Sequence, residues 1–233
     1  MIVFNKVNKN YGTNVGLKDA TVHIEKGDFV FLVGPSGAGK TTFVRLILKE
    51  IEADSGTILV GGRDVTRMTH REIPELRQQI GMVFQDFRLL EKKTVYENVA
   101  FAMEVRHKKK KVIRKEVPFA LDLVGIADKA DRYPNELSAG EQQRVGIARA
   151  LVVDPQIIFA DEPTGNLDSK TTMEVLRLMQ RIVREQKQTL VMVTHDNNLA
   201  SYADRRIRIV DGKITGIETG GRSALDETEE KTV

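Results

Sequence analysis

The 233-residue chain contains no cysteine. It therefore cannot carry a disulfide framework, a zinc site with thiolate ligands or a catalytic thiol. This excludes small disulfide-stapled proteins and cysteine enzymes, and it is compatible with a reducing cytosol.

Long apolar runs are also missing. No stretch approaches the ~20 apolar residues that span a bilayer, and residues 1–6 lack the charged segment, apolar stretch and cleavage site of a secretory signal. If the protein works at a membrane, we expect another chain to supply the membrane-spanning part.

Neither sign of charge dominates the chain. The 36 Lys and Arg residues nearly balance the 33 Asp and Glu residues, which leaves a net charge of +3. A chain that coats nucleic acid is far more basic, so we expect no nucleic-acid partner. The exception is the run Lys108–Lys111, followed by Arg114 and Lys115. We interpret it as a solvated helix face or loop, and contact with anionic lipid headgroups is the alternative.

Short runs rich in β-branched residues alternate with helical patterns, which indicates an α/β fold with a mixed or mainly parallel central sheet. A chain of this length can bury a substantial core as one unit. The predicted strands are 2–7, 29–33, 57–60, 80–83, 157–160, 190–193, 207–210 and 213–215.

Strand signals stop between residues 96 and 130, where helix-compatible sequence is broken by Pro118 and Gly125. We interpret roughly 86–155 as an inserted helical subdomain of a domain that spans 1–219. Residues 220–233 are acidic and carry few apolar side chains. Their burial could hardly offset the ~1–2 kcal/mol of backbone entropy for each ordered residue, so we expect a mobile tail.

The most informative segment lies between the predicted buried strand 29–33 and a helical pattern that begins near Phe43. It fits the glycine-rich phosphate loop, whose backbone N–H groups converge on phosphate oxygens. Lys40 adds a positive charge at the terminal phosphates, and the Thr41 hydroxyl can bind Mg²⁺. The chain is therefore predicted to bind a nucleoside triphosphate through Gly34, Pro35, Ser36, Gly37, Ala38, Gly39, Lys40, Thr41 and Thr42.

Two adjacent acids, Asp161 and Glu162, follow the apolar run 157–160. With a phosphate loop upstream, Asp161 suits a ligand of Mg²⁺, directly or through water. Glu162 suits a general base that orients and deprotonates the attacking water. Such pairs are also common at helix N-caps, so this assignment depends on the phosphate loop.

The run 137–145 begins with a capping-box pattern, in which Ser138 is followed three residues later by Glu141. This predicts a helix whose N-terminus suits an anion. The run resembles the signature of the ATP-binding-cassette (ABC) ATPases, which distinguishes them from small GTPases and nucleotide kinases. The resemblance implies an ABC-type P-loop fold with an N-terminal antiparallel β subdomain, and hydrolysis of ATP with Mg²⁺.

The resemblance also implies roles for single residues. An aromatic at the position of Tyr11 stacks on the adenine, Gln85 contacts Mg²⁺ or the attacking water, and His195 reaches the γ-phosphate. Asp168, in the segment 163–168, belongs to a loop that crosses to the opposite subunit. Ordinary packing of Tyr11 and an exposed loop amide at Gln85 are the alternatives.

In cassettes, each phosphate loop is completed by the signature of a second copy. The resemblance therefore implies an ATP-dependent homodimer, which makes the nucleotide state a switch at the interface. Ala139 stands where the family usually has glycine, but its backbone N–H is retained, so we expect altered affinity or turnover rather than lost function. The residues implied to contact the nucleotide from the second copy are Ser138, Ala139, Gly140 and Glu141.

The runs 81–90 and 94–105 closely resemble the ABC ATPases of bacterial cell division. This implies a peripheral subunit on the cytoplasmic face of the plasma membrane, a polytopic membrane partner, an association with the division ring and activation of peptidoglycan hydrolases. A cassette for lipoprotein extraction or macrolide export is the alternative. Apolar side chains at Phe87, Leu89 and Leu90 predict either a docking groove for a partner helix or a loop packed on its own subdomain.

Overall fold

The computed structural model describes residues 1–220. The predicted tail, apart from Gly220, lies outside the described residues. The chain divides into two compact units. Unit 1 comprises Met1–Arg77 and the chain from Ile182 onward, and unit 2 comprises Gln78–Arg181.

The α-helices and strands are numbered in chain order. The strands are β1 (Ile2–Tyr11), β2 (Asn14–Ile24), β3 (Phe29–Val33), β4 (Ser55–Val60), β5 (Arg63–Asp64), β6 (Ile80–Phe84), β7 (Ile157–Asp161), β8 (Thr189–Thr194), β9 (Arg205–Val210) and β10 (Lys213–Thr219). The helices are α1 (Lys40–Ile47), α2 (Ile73–Gln78), α3 (Val95–Glu104), α4 (Lys110–Leu123), α5 (Ala139–Leu151), α6 (Ser169–Gln186) and α7 (Asn197–Ala200).

The amino-terminal part of unit 1 is an antiparallel sheet with the strand order β2-β1-β4-β5. This confirms the predicted antiparallel β subdomain. β1 and β2 pair as a hairpin from Ile2 opposite Ile24 to Tyr11 opposite Asn14. β2 is absent from the predicted strands because residues 14–19 include Gly, Lys and Asp, which are depleted in strands.

A second sheet in unit 1 is mixed. β8 and β9 flank β3 in parallel, and β10 pairs antiparallel to β9. Every residue of β3 and of β8 is buried, as expected for parallel strands with both faces covered. This confirms the mixed sheet that the alternation of strands and helices predicts.

Helix α1 is anchored on the antiparallel sheet by an aromatic pair. The rings of Phe43, on α1, and Phe4, on β1, are stacked with their centroids 4.2 Å apart and an interplanar angle of 9°. Both side chains are fully buried. This contact fixes the helix that continues the predicted phosphate loop.

Unit 2 is built around helix α5. This helix packs against α3, α4 and β6, and its inner face buries Val145, Ile147 and Ala148. β6 and β7 pair in parallel, with Ile80 opposite Ile157. The predicted helical subdomain falls within this unit.

Helix α4 runs through Pro118, so the prediction that Pro118 breaks the helix is wrong. The proline leaves the carbonyl of Arg114 without its usual helical donor, but buried Val117 and Leu121 hold the helix on the core of unit 2. The predicted break at Gly125 is confirmed. Gly125 has φ of +71°, and the N–H groups of Gly125 and Ile126 donate to the carbonyls of Asp122 and Leu121, which is a Schellman termination.

Within residues 1–220, no helix combines the length and the apolar character that crossing a membrane requires.

We predict that Pro118→Ala raises stability by about 1–3 kcal/mol, because alanine restores the helical hydrogen bond at an exposed position. Thermal unfolding of the variant measures the change. Lys115→Ala, at another exposed position of α4, is the control and should have little effect. A lower melting temperature for Pro118→Ala than for the wild type would contradict the prediction.

Candidate functional site

The predicted phosphate loop of unit 1 connects β3 to α1. Gly39, the N-cap of α1, has φ of +111°, which only glycine adopts readily. A Cβ atom at Gly39 would lie 2.3 Å from the carbonyl oxygen of Gly16, and one at Gly34 would lie 2.1 Å from that of Ile209. Neighbouring backbones therefore press on the loop so closely that these two positions admit no side chain.

Lys40 lies beneath this loop with 9% of its surface exposed. Its ammonium donates hydrogen bonds to the carbonyls of Gly34 at 2.6 Å and Pro35 at 2.9 Å. The next side chain, Thr41, is exposed, whereas Thr42 is buried. The loop thus has a positive charge held at its centre and an accessible hydroxyl beside it, which suits a phosphate with a bound hard cation.

The turn between β9 and β10 forms part of the wall of this loop. The N–H of Gly212 donates to the carbonyl of Ala38 at 2.9 Å, and the carbonyl of Gly212 accepts from the N–H of Lys18 at 2.8 Å. Sequence reasoning missed this residue. The available signal was Asp211-Gly212 between two predicted strands, which is a two-residue hairpin pattern, but nothing local connects that hairpin to the phosphate loop.

Tyr11 lies at the end of β1 with 41% of its surface exposed. Its ring covers Gly16, where a Cβ atom would lie 2.8 Å from the Cε2 of Tyr11. Its hydroxyl is 3.5 Å from the Oγ1 of Thr42, at the start of α1. Tyr11 is therefore beside the phosphate loop with much of its ring open, an arrangement in which it can stack on a base.

His195 follows β8 in unit 1. The parallel pairing of β8 with β3 sets Thr194 opposite Val33, so His195 and Gly34 leave the sheet at the same edge. His195 is exposed. Carboxyl ends of parallel strands are the usual ligand-binding edge of an α/β sheet.

The acidic pair belongs to unit 2. β6 and β7 pair with Phe84 opposite Asp161, so Gln85 and Glu162 follow their strands at the same edge. Glu162 is half-buried and has φ of +46°, a conformation that costs a non-glycine residue about 1–3 kcal/mol and is common at functional sites. The structure therefore brings Gln85 and Glu162, the predicted general base, to the same edge of the β6–β7 strand pair.

Gln85 is tied to the segment that follows Glu162. The amide of Asn166 donates to the carbonyl of Gln85 at 3.0 Å, and the amide of Gln85 donates to the Oδ1 of Asn166 at 3.4 Å. A Cβ atom at Gly165 would lie 2.7 Å from the Nε2 of Gln85. The Gln85 side chain is therefore exposed, as the loop-amide alternative expects, but it is held against this segment by hydrogen bonds.

The predicted signature helix has the predicted cap. Ser138 is the N-cap of α5, the N–H of Glu141 donates to its Oγ at 3.3 Å, and the Glu141 carboxylate accepts from the N–H of Ser138 at 2.8 Å. Hydrogen bonds to its carboxylate lower the pKa of Glu141, and the bond from the N–H of Ser138 contributes most. Ala139 is exposed, and a Cβ atom at Gly140 would lie 2.5 Å from the Cγ2 of Thr171.

Asp168 immediately precedes α6. Its carboxylate accepts hydrogen bonds from the hydroxyl of Thr171 at 2.6 Å and from the N–H groups of Thr171 and Lys170. The Thr171 hydroxyl is the main cause of its lowered pKa. Asp168, which the resemblance assigns to the nucleotide site through a loop that crosses to the opposite subunit, thus caps its own helix in this chain.

The loop after Gln85 is held by two side chains that sequence reasoning missed. Arg149, near the end of α5, donates to the carbonyls of Phe87, at 2.7 Å, and Arg88. Asn98, fully buried on α3, accepts from the N–H of Leu90 at 2.7 Å and donates to three loop carbonyls. No local pattern could identify Arg149, because its partners lie more than 60 residues away in sequence, whereas the partners of Asn98 are four to eight residues away.

The apolar residues of this loop were predicted either to form a docking groove for a partner helix or to pack on their own subdomain, and the structure contains some of each. Phe87 and Leu89 are half-buried, whereas Leu90 is 37% exposed. The loop is therefore packed on unit 2 at its beginning and open at its end.

Comparison with known proteins places the chain in a family. The family described as ABC transporter matches residues 17–165. The chain is 47% identical over 229 residues to the cell division ATP-binding protein FtsE of Mycobacterium tuberculosis, which covers 97% of this chain and 99% of that protein. It is 46% identical over 223 residues to FtsE of Bacillus subtilis, which covers 95% and 97%.

Solved structures agree with these sequence matches. A dimeric ATP-binding cassette in a post-hydrolysis state with bound ADP and Pi aligns with a TM-score of 0.83 and 34% identity, covering 94% of this chain and 98% of that one. CbiO1 of Clostridium perfringens, part of an ABC transporter complex, aligns with a TM-score of 0.88 and 29% identity, covering 99% and 91%.

The chain belongs to the ATP-binding-cassette family and is an ATPase of that class. Within the family, the relatives at 42–47% identity are FtsE proteins, which confirms the resemblance to the cell-division cassettes.

Two glycines of the phosphate loop provide a matched test of its geometry. Gly37→Ala meets no atom within 4 Å and should cost only the ~1–2 kcal/mol of its positive φ. Gly39→Ala adds a clash with the backbone of Gly16 and should cost more. Urea unfolding without nucleotide measures both changes, and equal losses would contradict this account of the loop.

Proposed function

We propose that this chain is the ATP-hydrolysing subunit of an FtsEX-like membrane complex. It would work at the cytoplasmic face of the bacterial plasma membrane, bound to a polytopic protein resembling FtsX and associated with the division ring. ATP-driven closure of two copies would change the shape of the membrane partner, which activates peptidoglycan hydrolases. The FtsE relatives along almost the whole chain support this proposal.

The single observation that carries the catalytic part is the register of β6 and β7. It sets Gln85 and Glu162 at one edge, with Gln85 hydrogen-bonded to Asn166. Glu162 is proposed as the general base. It takes a proton from the attacking water as the water oxygen bonds to the γ-phosphorus, and the bond from that phosphorus to ADP breaks. Gln85 orients this water.

The phosphate loop is proposed to bind the triphosphate in unit 1. Its N–H groups and Lys40 hold the phosphates, Tyr11 stacks on the adenine, and His195 contacts the γ-phosphate. Thr41, Asp161 and Gln85 are proposed as ligands of Mg²⁺, because each side chain carries the kind of hard oxygen donor that this ion prefers. When bound, the ion neutralises charge that develops on the phosphates.

Dimer formation is proposed to use the amino-terminal end of α5. Ala139 and Gly140 place their N–H groups at the amino-terminal end of the helix, next to the Ser138 hydroxyl, where the helix dipole favours an anion. Ser138 and Ala139 are exposed, and Glu141 holds Ser138 in place. A second copy can therefore offer this end to the γ-phosphate, and hydrolysis weakens the contact. The dimeric state of a solved cassette supports the arrangement.

Helix α5 is also proposed to connect ATP to the membrane partner. One end carries Ser138, and the other end carries Arg149, which holds the carbonyls of Phe87 and Arg88. A helix of 13 residues is a rod of about 20 Å. Movement of the signature end is therefore transmitted to the loop after Gln85, where the exposed side chain of Leu90 can contact the partner.

A cassette for lipoprotein extraction or macrolide export would share these catalytic residues. The curated relatives at 42–47% identity are FtsE proteins, and no observation favours the export function.

Glu162→Gln tests the proposed base. The amide cannot accept the proton, so ATP turnover should fall by on the order of 10²–10⁴-fold while ATP affinity is retained. Phosphate release and nucleotide titration measure the two quantities. Lys40→Ala is the complementary variant and should weaken ATP binding itself.

Glu162→Gln also tests whether two copies of the chain close around ATP. With ATP and Mg²⁺, Glu162→Gln should accumulate as a dimer in light-scattering measurements, because hydrolysis no longer opens the interface. A strictly monomeric chain, even when bound to its membrane partner, would disprove the dimer. For the turnover prediction, a near-normal rate of ATP hydrolysis by Glu162→Gln would show that Glu162 is not the general base.

Arg149 is proposed as a positioning residue, and its test separates coupling from folding. Arg149→Lys should keep basal ATPase activity but reduce the stimulation that the co-purified membrane partner gives, because lysine cannot hold both carbonyls in a fixed geometry. Arg106→Lys is the matched control, since Arg106 also donates to two backbone carbonyls of unit 2, those of Val153 and Gln78. An equal loss of stimulation in both variants would contradict the coupling role.

A further inference from the structure

The connection between α3 and α4 carries an unusual density of positive charge. Residues 105–115 contain seven Lys and Arg side chains, His107 and no acidic side chain. Arg106 is structural, because its guanidinium donates to the carbonyls of Val153 and Gln78. The other six are exposed, and they are Lys108, Lys109, Lys110, Lys111, Arg114 and Lys115.

These exposed charges have almost no partners within the chain. Among the described residues, only Lys115 forms an ion pair, with its neighbour Glu116 at 3.4 Å. The lysines do not stabilise the helix that they begin, since positive charge at a helix N-terminus opposes the helix dipole. The first turn of α4 contains no acid, and its N-cap Lys109 makes no side-chain cap hydrogen bond. A purely structural role therefore does not account for the cluster.

Exposed apolar side chains lie on the same part of the chain. Phe101 and Val105 are four residues apart at the end of α3, and they are 39% and 59% exposed. Val112 and Phe119 are seven residues apart on α4, and therefore on one helix face. They are 38% and 59% exposed.

The core of unit 2 does not need these four side chains. The buried face of α4 is formed by Ile113, Val117, Ala120 and Leu121. The four account for nearly half of the nine large apolar residues that are exposed among residues 1–220.

We propose that this α3–α4 surface binds the anionic headgroups of a lipid bilayer. The surface is defined by Phe101, Val105, Val112 and Phe119 with the six exposed basic residues. Lysine ammonium groups on long stems pair with lipid phosphates, and the apolar side chains enter the interface between headgroups and acyl chains. The contact belongs to this chain itself and does not depend on the membrane partner of the proposed function.

A bilayer fits this surface better than an acidic protein or a nucleic acid. Exposed apolar side chains next to a dense basic cluster combine the two attractions that hold a helix at a membrane interface, which are burial of apolar area and electrostatic attraction to anionic lipid. Binding of an acidic polymer would use the charges and leave Phe119 and Val105 in water. A nucleic-acid backbone would also leave these apolar side chains in water. The net charge of the chain, only +3, likewise does not favour nucleic acid.

Vesicle flotation with the full-length chain tests the charged part. We expect binding to vesicles in which about one third of the lipid is phosphatidylglycerol, and no binding to pure phosphatidylcholine. Changing Lys108, Lys109, Lys110 and Lys111 together to Gln should reduce the partition coefficient at least about tenfold. Basal ATPase activity without vesicles reports that this variant is folded.

A matched control changes four exposed lysines elsewhere to Gln, namely Lys18, Lys26, Lys92 and Lys213. It removes the same net charge and should bind vesicles nearly as well as the wild type. No vesicle binding by the wild type, or an equal loss in both quadruple variants, would overturn the proposal.

A second variant distinguishes a bilayer from an acidic macromolecule. Phe119→Gln should lower vesicle binding several-fold and leave binding to polyglutamate or to duplex RNA unchanged, whereas Ile217→Gln, at another exposed apolar position, should change neither. If Phe119→Gln has no effect on vesicles, or if polyglutamate or RNA binds more tightly than vesicles do at the same ionic strength, the partner is not a bilayer and the proposal fails.

Discussion

The phosphate loop depends on backbones that approach too closely to admit side chains. Gly39 faces the carbonyl of Gly16, Gly34 faces that of Ile209, and Gly212 bonds the loop from behind. Since the loop is fixed before any ligand arrives, its N–H groups and Lys40 need little reorganisation to receive phosphate. The stacked rings of Phe4 and Phe43 hold the helix that continues it.

Unit 2 supplies chemistry through a different constraint. The register of β6 and β7 aligns the ends of two strands, and the residues just beyond them, Gln85 and Glu162, carry the amide and the acid that we propose for hydrolysis. Hydrogen bonds then extend outward from Gln85 to Asn166, while Arg149 connects the neighbouring loop to the helix that begins at Ser138. The residues proposed for hydrolysis in this unit are therefore connected by hydrogen bonds to the loop and the helix that are proposed to contact other chains.

The sequence predicts what depends on neighbouring residues. The capping box of Ser138 and Glu141 and the helix end at Gly125 are local patterns, and the structure contains both. Local patterns fail where packing overrides propensity, as at Pro118, which the core of unit 2 holds inside a helix. They also fail where partners are remote. Arg149 looks like an ordinary helical residue until the fold brings to it the carbonyls of Phe87 and Arg88, which lie more than 60 residues earlier in the chain. The roles of the site residues stay predictions until the variants are measured.

The turn at Gly212 has a consequence for how the protein is made. A ribosome releases the chain from its amino-terminal end, so β3 and α1 emerge long before β9 and β10. Until the β9–β10 hairpin has been made, the carbonyl of Ala38 lacks its donor and Gly34 lacks the backbone that confines it. A nascent chain therefore completes the walls of its phosphate loop only after β9 and β10 have been made.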